Sequence, residues 1–454
     1  VGDMSDVDFG DMLDYLATDR TTRSILLYIE AVTHARKFLS AARAASRTKP
    51  VVVVKAGRSE AGAKAALSHT RALAGSDAVY DAAFRRAGML RVQTLHELFD
   101  AVGTLSTGIR VEGDRLAILT NGGGLGVLAV DQVTDANGRL ALLSAETIAR
   151  LGAVLPAPWS HGNPVDILGD APGERYAGAL EILLGDREAD AILVMNCPTA
   201  VADSMDAAQA VVKTLGTRRP AVLTCWLGEG AAAEARRLFA ARKLPSYETP
   251  EHAVQAFGHL VRYRRTQELL MQTPPSVSDL IAIDRARAEA IVDAVFDDGR
   301  TILTEPEAKD LLSAYGIPTV PSVIAKSPDE AARAAAGMDG PAVLKILSRD
   351  ITHKSDVGGV QLNLASAAAV AQAATDMLEN VRRKAPEARI DGFTVQPMIR
   401  RRGAHELLLG IAEDAAFGPV ILFGHGGTAA EVVGDRSIGL PPLNPILAQD
   451  MIER

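Results

Sequence analysis

Short apolar runs alternate with alanine-rich stretches of helical spacing along the first part of the chain, and this alternation restricts the fold more than any other feature. Ser24 to Ile29, Val51 to Val54, Leu116 to Leu119, Ala191 to Met195 and Ala221 to Thr224 read as buried strands. Ala31 to Ala45 and Ala207 to Leu215 read as helices between them. A strand that is apolar throughout has to be covered on both faces. Strand–helix alternation therefore predicts parallel sheets with helices on each side. The chain has 454 residues, which at roughly 100–200 residues per domain predicts two to four domains. Aromatic residues are only 4% of the chain, which favours closely packed α/β layers over an aromatic-rich β-sandwich.

The pattern changes after Thr273-Pro274-Pro275-Ser276-Val277-Ser278, a Pro/Ser stretch that follows a long polar helix and reads as a linker. Beyond it a helix is expected over Glu305 to Tyr315. Strands are expected around Thr319 to Ile324, Ala342 to Ile346, Gly359 to Leu362, Phe393 to Met398, Glu406 to Ile411 and Val420 to Phe423. This is an α+β arrangement with much antiparallel sheet. The turn at Gly108 to Gly113 marks an earlier boundary, so the expected domains are 1–108, 109–270 and 285–454, with a linker over 271–284.

Composition excludes several functions. The net charge is −8, and a broad nucleic-acid surface needs clustered Lys and Arg. The runs Arg400-Arg401-Arg402 and Arg262 to Arg265 read as solvated faces. The two cysteines, Cys197 and Cys225, lie far apart without a CxxC, which argues against a disulfide framework or a zinc site and makes reduced cytoplasm the expected compartment. No apolar run reaches the ~18 residues of a membrane span, and no signal peptide is visible. The start at Val1-Gly2 and the stop at Glu453-Arg454 read as truncations of a longer protein.

Three stretches carry candidate chemistry. Lys55 to Lys64 follows the strand Val51 to Val54 and leads to Ser68-His69-Thr70. A strand that ends in a glycine-rich loop leaves backbone N–H groups at the carboxyl edge of a sheet, where anions bind. Lys64 falls one residue late for a P-loop, so that motif is rejected. A helix is expected near Ser76-Asp77 with Ser76 as N-cap. A histidine near such a helix start is placed to carry a phosphoryl group, although His69 taken alone reads as a structural or surface histidine. The second stretch is Thr120-Asn121-Gly122-Gly123-Gly124-Leu125-Gly126, again directly after a strand. It reads either as an anion seat or as a tight turn that packs helix on strand. The third centres on Lys345, which faces inward from Ala342 to Ile346 and therefore needs an anionic partner. The polar, glycine-bearing loop Thr352 to Val360 follows, and Gly424-His425-Gly426-Gly427 precedes Glu431 and Asp435. Glycines with carboxylates suit a nucleotide with Mg²⁺, whose ligands are oxygens.

Ser68-His69-Thr70, Thr120 to Gly124, Gly162-Asn163-Pro164 and His353 to Gly359 occur in an order that resembles the NDP-forming acyl-CoA synthetases, single-chain relatives of succinyl-CoA synthetase. The resemblance covers essentially the whole chain. It implies two flavodoxin-like CoA-ligase domains with parallel sheets followed by an α+β ATP-grasp domain, with a CoA-binding Rossmann domain and the end of the ATP-grasp domain outside this sequence. It further implies that His69 is the phosphohistidine and that Glu30 orients it. Asn121, Gly122, Gly123 and Gly124 would then seat phosphate, and Asn163 and Pro164 would form the acyl-substrate loop. Lys345, Lys354, Ser355, Gln396, Met398, Glu406 and Glu431 would serve the nucleotide, and His353 would ferry phosphate. The implied partners are coenzyme A, an acyl-CoA or carboxylic acid, ATP or ADP and Mg²⁺, without nucleic acid or membrane, in a homo-oligomer. The family's main Mg²⁺ carboxylates would lie past Arg454, so this chain alone is expected to be inactive.

Tyr80 to Val92 and Tyr263 to Pro275 are also similar to synthetase-like regions fused to protein lysine acetyltransferases, which sense acetyl-CoA without turnover; retention of His69 favours the enzyme. A catalytically dead CoA-binding scaffold is a third reading. Trp159, His161 and Trp226 are read as packing residues rather than acyl-pocket walls.

Arg71 stands where the family usually has glycine after Ser-His-Thr. Its guanidinium either pairs with the phosphoryl group or blocks the pocket. Arg71→Gly is expected to preserve or raise acid-labile phosphate on His69, and a collapse in labelling would refute that expectation.

Overall fold

The structure is a computed structural model that describes residues 4–59, 61–62, 76–272, 283–427 and 434–454. The chain divides into two compact units, 1–274 with 406–454, and 275–405.

In the first unit, Ile25–Ile29, Val51–Lys55 and Leu90–Val92 form a three-stranded parallel sheet in that order. The central strand is buried at every position. Successive side chains of a strand point to opposite faces, and here they feed two cores. Val51 and Val53 pack with Phe38, Tyr80 and Phe84, while Val52 and Val54 pack with Leu90, Leu98 and Ala101. The helix Asp77–Arg86 begins one residue after Ser76, as the sequence suggested, but the Ser76 hydroxyl makes no capping hydrogen bond. Its backbone N–H donates instead to Asp414 Oδ2 at 3.4 Å.

A second, six-stranded sheet follows in the same unit. Its order is Arg139–Leu140, Arg115–Thr120, Ala191–Asn196, Val222–Trp226, Ser246–Tyr247, with Val165–Asp166 also paired to Arg115–Thr120. Each of these pairings is parallel. The chain leaves Arg115–Thr120 toward Arg139–Leu140 and returns on its other side at Ala191–Asn196. This reversal of strand order opens a crevice beyond the carboxyl ends of the two strands, where doubly wound sheets bind ligands. Trp226 is fully buried, donates from Nε1 to Ser204 O at 3.0 Å and stacks edge-on with Phe239. Trp159 is 2% exposed, and the exposed His161 ring lies 4.7 Å from it, centroid to centroid. Trp159 and Trp226 are buried in the core as packing residues, while His161 is exposed.

The long helix Pro250–Met271 starts from Thr249, whose hydroxyl accepts from His252 N, with proline at its first position. It runs beside Leu95–Ser106, where the buried His259 faces Glu97 at 3.6 Å. Burial pulls the His259 imidazole below its ordinary range. The strands Leu407–Asp414, Gly418–His425 and Arg436–Gly439 form an antiparallel sheet that belongs to this unit. Phe417, in the turn of that hairpin, meets Tyr80 edge-on at 5.0 Å.

The second unit carries an antiparallel sheet in the order Val323–Ala325, Gly392–Pro397, Ala342–Leu347, Val360–Leu364. The helices Pro328–Ala336 and Ala367–Lys384 pack against it around Leu344, Ile346, Phe393 and Val395. The strand expected from Thr319 is confined to Val323–Ala325 because Pro318 and Pro321 offer no backbone donor for a ladder. The Pro/Ser stretch 273–278 lies outside the described residues.

The helix Glu305–Ala314 is launched by a capping box between Thr304 and Glu307. Arg300 grips the same carboxylate through two nitrogens, at 2.7 and 3.0 Å. Together with the Thr304 bonds, Arg300 holds Glu307 down from 4.5 to about 2. A carboxyl depressed on folding stabilises above its unfolded value and loses that contribution as pH falls. In urea unfolding, the stability gap between wild type and Glu307→Gln should be full above pH 4.5 and shrink toward about 2. A gap constant across that window contradicts the assignment.

Candidate functional site

The glycine turn sits at the crevice of the six-stranded sheet. Arg115–Thr120 ends at the buried Thr120 and Asn121, and the helix Gly123–Asp135 begins two residues later with Gly122 as its N-cap. No side chain caps this helix, so the amides of its first turn point out of the carboxyl edge, the arrangement that binds anions. Asn121 does not aim its amide at that opening. Its Nδ2 donates to Cys197 O at 2.9 Å and its Oδ1 accepts from Cys197 N at 2.7 Å. The two-way bridge ties the ends of the neighbouring strands together.

Asn163 has a similar structural use. Its Oδ1 accepts from Ile118 N, and its Nδ2 donates to Leu116 O and Ala141 O, each at 2.9 Å. The side chain thereby stitches its loop to the backbone of the central strand. The next residue, Pro164, lies against Gly126, where a Cβ would stand 3.3 Å from the proline ring and equally near Thr120 Cγ2. Gly126 is therefore needed for close packing of helix on loop. Asp166, which the sequence reading passed over, reaches the turn itself: a Cβ on Gly123 would fall 2.9 Å from Asp166 Oδ2. An anion arriving at these amides meets that carboxylate at the positive end of the helix. The signal available in sequence was an acidic residue two positions beyond Asn163-Pro164.

At the first sheet, Glu30 directly follows the strand Ile25–Ile29 and is half-buried. Tyr28 donates to its Oε1 at 3.4 Å. Ala56 N donates to Ile29 O at 2.9 Å, so Glu30 stands at the carboxyl edge beside the loop that leads toward position 69. Lys55 ends the central strand at 2% exposure, with its ammonium 4.7 Å from the centre of the Tyr80 ring. Burial pulls this lysine down, and the charges of Asp77 and Glu30 partly restore it. His69, with Ser68, Thr70 and Arg71, lies outside the described residues, as does Glu431.

In the second unit, Lys345 has the anionic partner its position demands. Its Nζ lies 2.7 Å from Glu305 Oε1, and Lys309 approaches the same oxygen at 3.2 Å. Burial raises Glu305, but its bonds to the two lysines outweigh this and lower it overall. Lys309 also donates to Gln396 Oε1 at 2.6 Å. The structure thus gathers Lys345 and Gln396 with Glu305 and Lys309, neither of which the sequence reading singled out. Their signal was the spacing of Glu305 and Lys309, one helical turn apart at a capped helix start. Met398 N donates to Pro341 O at 2.8 Å.

The His353 loop returns to the same strand. Gly359 O accepts from Ile346 N at 2.8 Å, and Lys345 pairs with Val360. Gly358 has φ +74°, and a Cβ on Gly359 would stand 2.6 Å from Ile346 Cγ2. One glycine makes the turn and the other lets the loop lie flat. His353 and Ser355 are exposed, and Lys354 is half-buried. The carbonyls of Lys354 and Ser355 accept from Gly359 N and Gly358 N. Glu406 belongs to the first unit, where its carbonyl accepts from Gly426 N at 2.7 Å and its carboxylate lies against Gly427.

Comparison with known proteins matches three stretches to family models: a succinyl-CoA ligase like flavodoxin domain over residues 1–105, a ligase-CoA domain over 116–271 and an ATP-grasp domain over 294–454. An ADP-forming acetate–CoA ligase I of Archaeoglobus fulgidus is 40% identical over 453 residues, 100% of this chain and 64% of that protein. The β subunit of an ADP-forming acetate–CoA ligase II of Pyrococcus furiosus is 35% identical over 168 residues, 37% of this chain and 70% of the subunit. A dinucleotide-forming acetyl-coenzyme A synthetase of Ca. Korarchaeum cryptofilum, solved with phosphate and ADP, is 34% identical with a TM-score of 0.56, covering 60% of this chain and 59% of that one. The chain thus spans less than two thirds of the Archaeoglobus and Korarchaeum proteins.

The stitch at Asn163 is the feature here most open to test. Asn163→Ala leaves Ile118 N and Ala141 O without their side-chain partner, while Leu116 O keeps Ala141 N, at a cost of roughly 2–4 kcal/mol. Urea unfolding should show that loss, and a change below about 0.5 kcal/mol, the range of an ordinary surface substitution, would contradict the assignment.

Proposed function

The chain belongs to the NDP-forming acyl-CoA synthetase family, and on that premise we propose that it supplies the phosphoryl-transfer core of an ADP-forming acyl-CoA ligase. Its three regions take the roles expected of 1–108, 109–270 and 285–454. Acyl-CoA and phosphate give acyl phosphate when a phosphate oxygen attacks the thioester carbonyl and the thiolate leaves as coenzyme A. The His69 imidazole then attacks phosphorus and the carboxylate departs. The His353 imidazole next takes the phosphoryl group from His69, restoring it, and a β-phosphate oxygen of NDP attacks that phosphorus, giving NTP and releasing His353. Every step is reversible.

The observation that carries this reading is the uncapped helix start at Gly123, at the crevice where the strand order reverses. It offers amides to a phosphate, and Asn121 and Asn163 hold it in place. Oriented amides cost no reorganisation when charge moves. Glu30, at the edge of the neighbouring sheet, is the carboxylate assigned to orient His69. In the second unit the ammonium groups of Lys345 and Lys309 bind nucleotide phosphates, which replace Glu305 as the partner of Lys345. Lys354 and Ser355 on the glycine loop contribute to the same phosphates, Gln396 and Met398 border the base, and Glu406 and Glu431 serve the nucleotide.

Bound Mg²⁺ would neutralise phosphate charge in this reaction. Glu305, the carboxylate that reaches Lys345, is held by two ammonium groups, so it does not fit as an oxygen ligand for the ion. Coenzyme A, the acyl acid, ATP or ADP and a homo-oligomeric assembly complete the proposal, in a cytoplasmic setting. No helix among the described residues is long and apolar enough to cross a membrane.

Labelled acyl phosphate tests the central half-reaction without coenzyme A or nucleotide. The chain is expected to acquire acid-labile phosphate on His69, a step that needs no nucleotide site; loss of that label on adding ADP with Mg²⁺, with formation of ATP, is expected of the full-length protein. Glu30→Gln should slow labelling roughly 10²-fold or more, and Lys345→Met should leave labelling intact while weakening transfer to ADP. Label that persists in His69→Asn, or its absence from wild type, would overturn the reading.

A further inference from the structure

The helices Leu95–Ser106 and Pro250–Met271 bring together three metal-ligating side chains that play no part in the reaction above. One donor atom from each of His96, Asp100 and His252 lies within 4.8 Å of the other two. Among the described residues this is the one such group of three. His96 and Asp100 are one turn apart on the first helix, with Nε2 3.2 Å from Oδ2. Two ligands on a tetrahedral ion with ~2.0–2.1 Å bonds lie about 3.3–3.4 Å apart, so this pair already has the separation the ion requires. His252 comes from a sequence-distant helix, and its ring centroid is 4.7 Å from that of His96 with a 45° tilt.

The backbone around the three donors is fixed by contacts that do not involve them. Glu97 meets the buried His259 at 3.6 Å, Thr104 is bonded to Tyr247 at 2.5 Å, and Thr249 caps the helix that carries His252. The two helices are therefore held at a set separation, and the remaining adjustment is rotation of side chains. His96 is 64% exposed and Asp100 29%, so an ion has direct access from solvent. Two imidazoles and one carboxylate suit a borderline transition ion, whereas Mg²⁺ demands a shell of oxygens.

We infer that His96, Asp100 and His252 form a site for a divalent transition ion, Zn²⁺ being the best match, that ties the helix after the first sheet to the long helix of the second. Three protein ligands leave a fourth position for water. The binding involves no covalent or redox change and does not rest on the proposed ligase chemistry.

The test uses the full chain stripped with EDTA and titrated calorimetrically with ZnCl₂ alone. One ion should bind with a dissociation constant on the order of micromolar, and MgCl₂ should give no comparable heat. His96→Ala and His252→Ala should each weaken binding roughly tenfold or more. Zn²⁺ should raise the thermal midpoint of wild type and leave that of the double variant where it was. All three side chains reach solvent, and an unchanged circular dichroism spectrum confirms that the variants fold. No zinc binding by wild type, or equal stoichiometry and affinity in the His96→Ala/His252→Ala double variant, would overturn the site.

Discussion

The amide bridge between Asn121 and Cys197 fixes the spacing of two strand ends, and the proposed phosphate chemistry depends on that spacing. The amide of Asn121 gives and takes one hydrogen bond across the point where the sheet reverses its order. Buried amides bonded on both sides are costly to open. The helix that starts at Gly123 therefore leaves the sheet from a rigid base. Asn163 performs the same service from the other side, through Ile118, Leu116 and Ala141. Pro164 and Asp166 then follow within three residues and close around the glycines. What looks in sequence like a substrate loop is first of all the wall that shapes the turn.

The second unit shows a different economy. Lys345 lies in a strand whose neighbours are apolar, and a lone ammonium there would be expensive. Glu305 neutralises it, and Lys309 shares the same carboxylate while also holding Gln396. A cationic site that carries its own counter-ion keeps its shape without a ligand. On the proposed reading, the attraction of a polyanionic nucleotide has to exceed that of one carboxylate already shared between two lysines.

Much of the fold was legible because parallel sheets write themselves plainly. Val51 to Val54 feeds two cores by alternation, and the runs at Leu116, Ala191 and Ala221 became neighbours in one sheet. The expected strand at Thr319 was cut short by two prolines, a rule present in the sequence but outweighed by the apolar residues around it. Ser76 took the N-cap position without capping, because cap geometry depends on the rotamer and on nearby acceptors as well as on residue type. At the sites, the sequence located glycines and asparagines and was silent on where their side chains point. Asn121 and Asn163 spend their amides on backbone, a fact that depends on strands far apart in sequence. Asp166, Glu305 and Lys309 escaped for the same reason: each matters through a neighbour brought up by the fold.

If the helix start at Gly123 is the seat of the transferred phosphate, diffraction from crystals of the chain soaked in inorganic phosphate will show it. The expected result is a phosphate with oxygens within hydrogen-bonding distance of the first-turn amides, with the Asn121–Cys197 bridge intact and the Asp166 carboxylate turned aside. A first turn occupied only by that carboxylate, under phosphate concentrations that fill other anion positions, would contradict it.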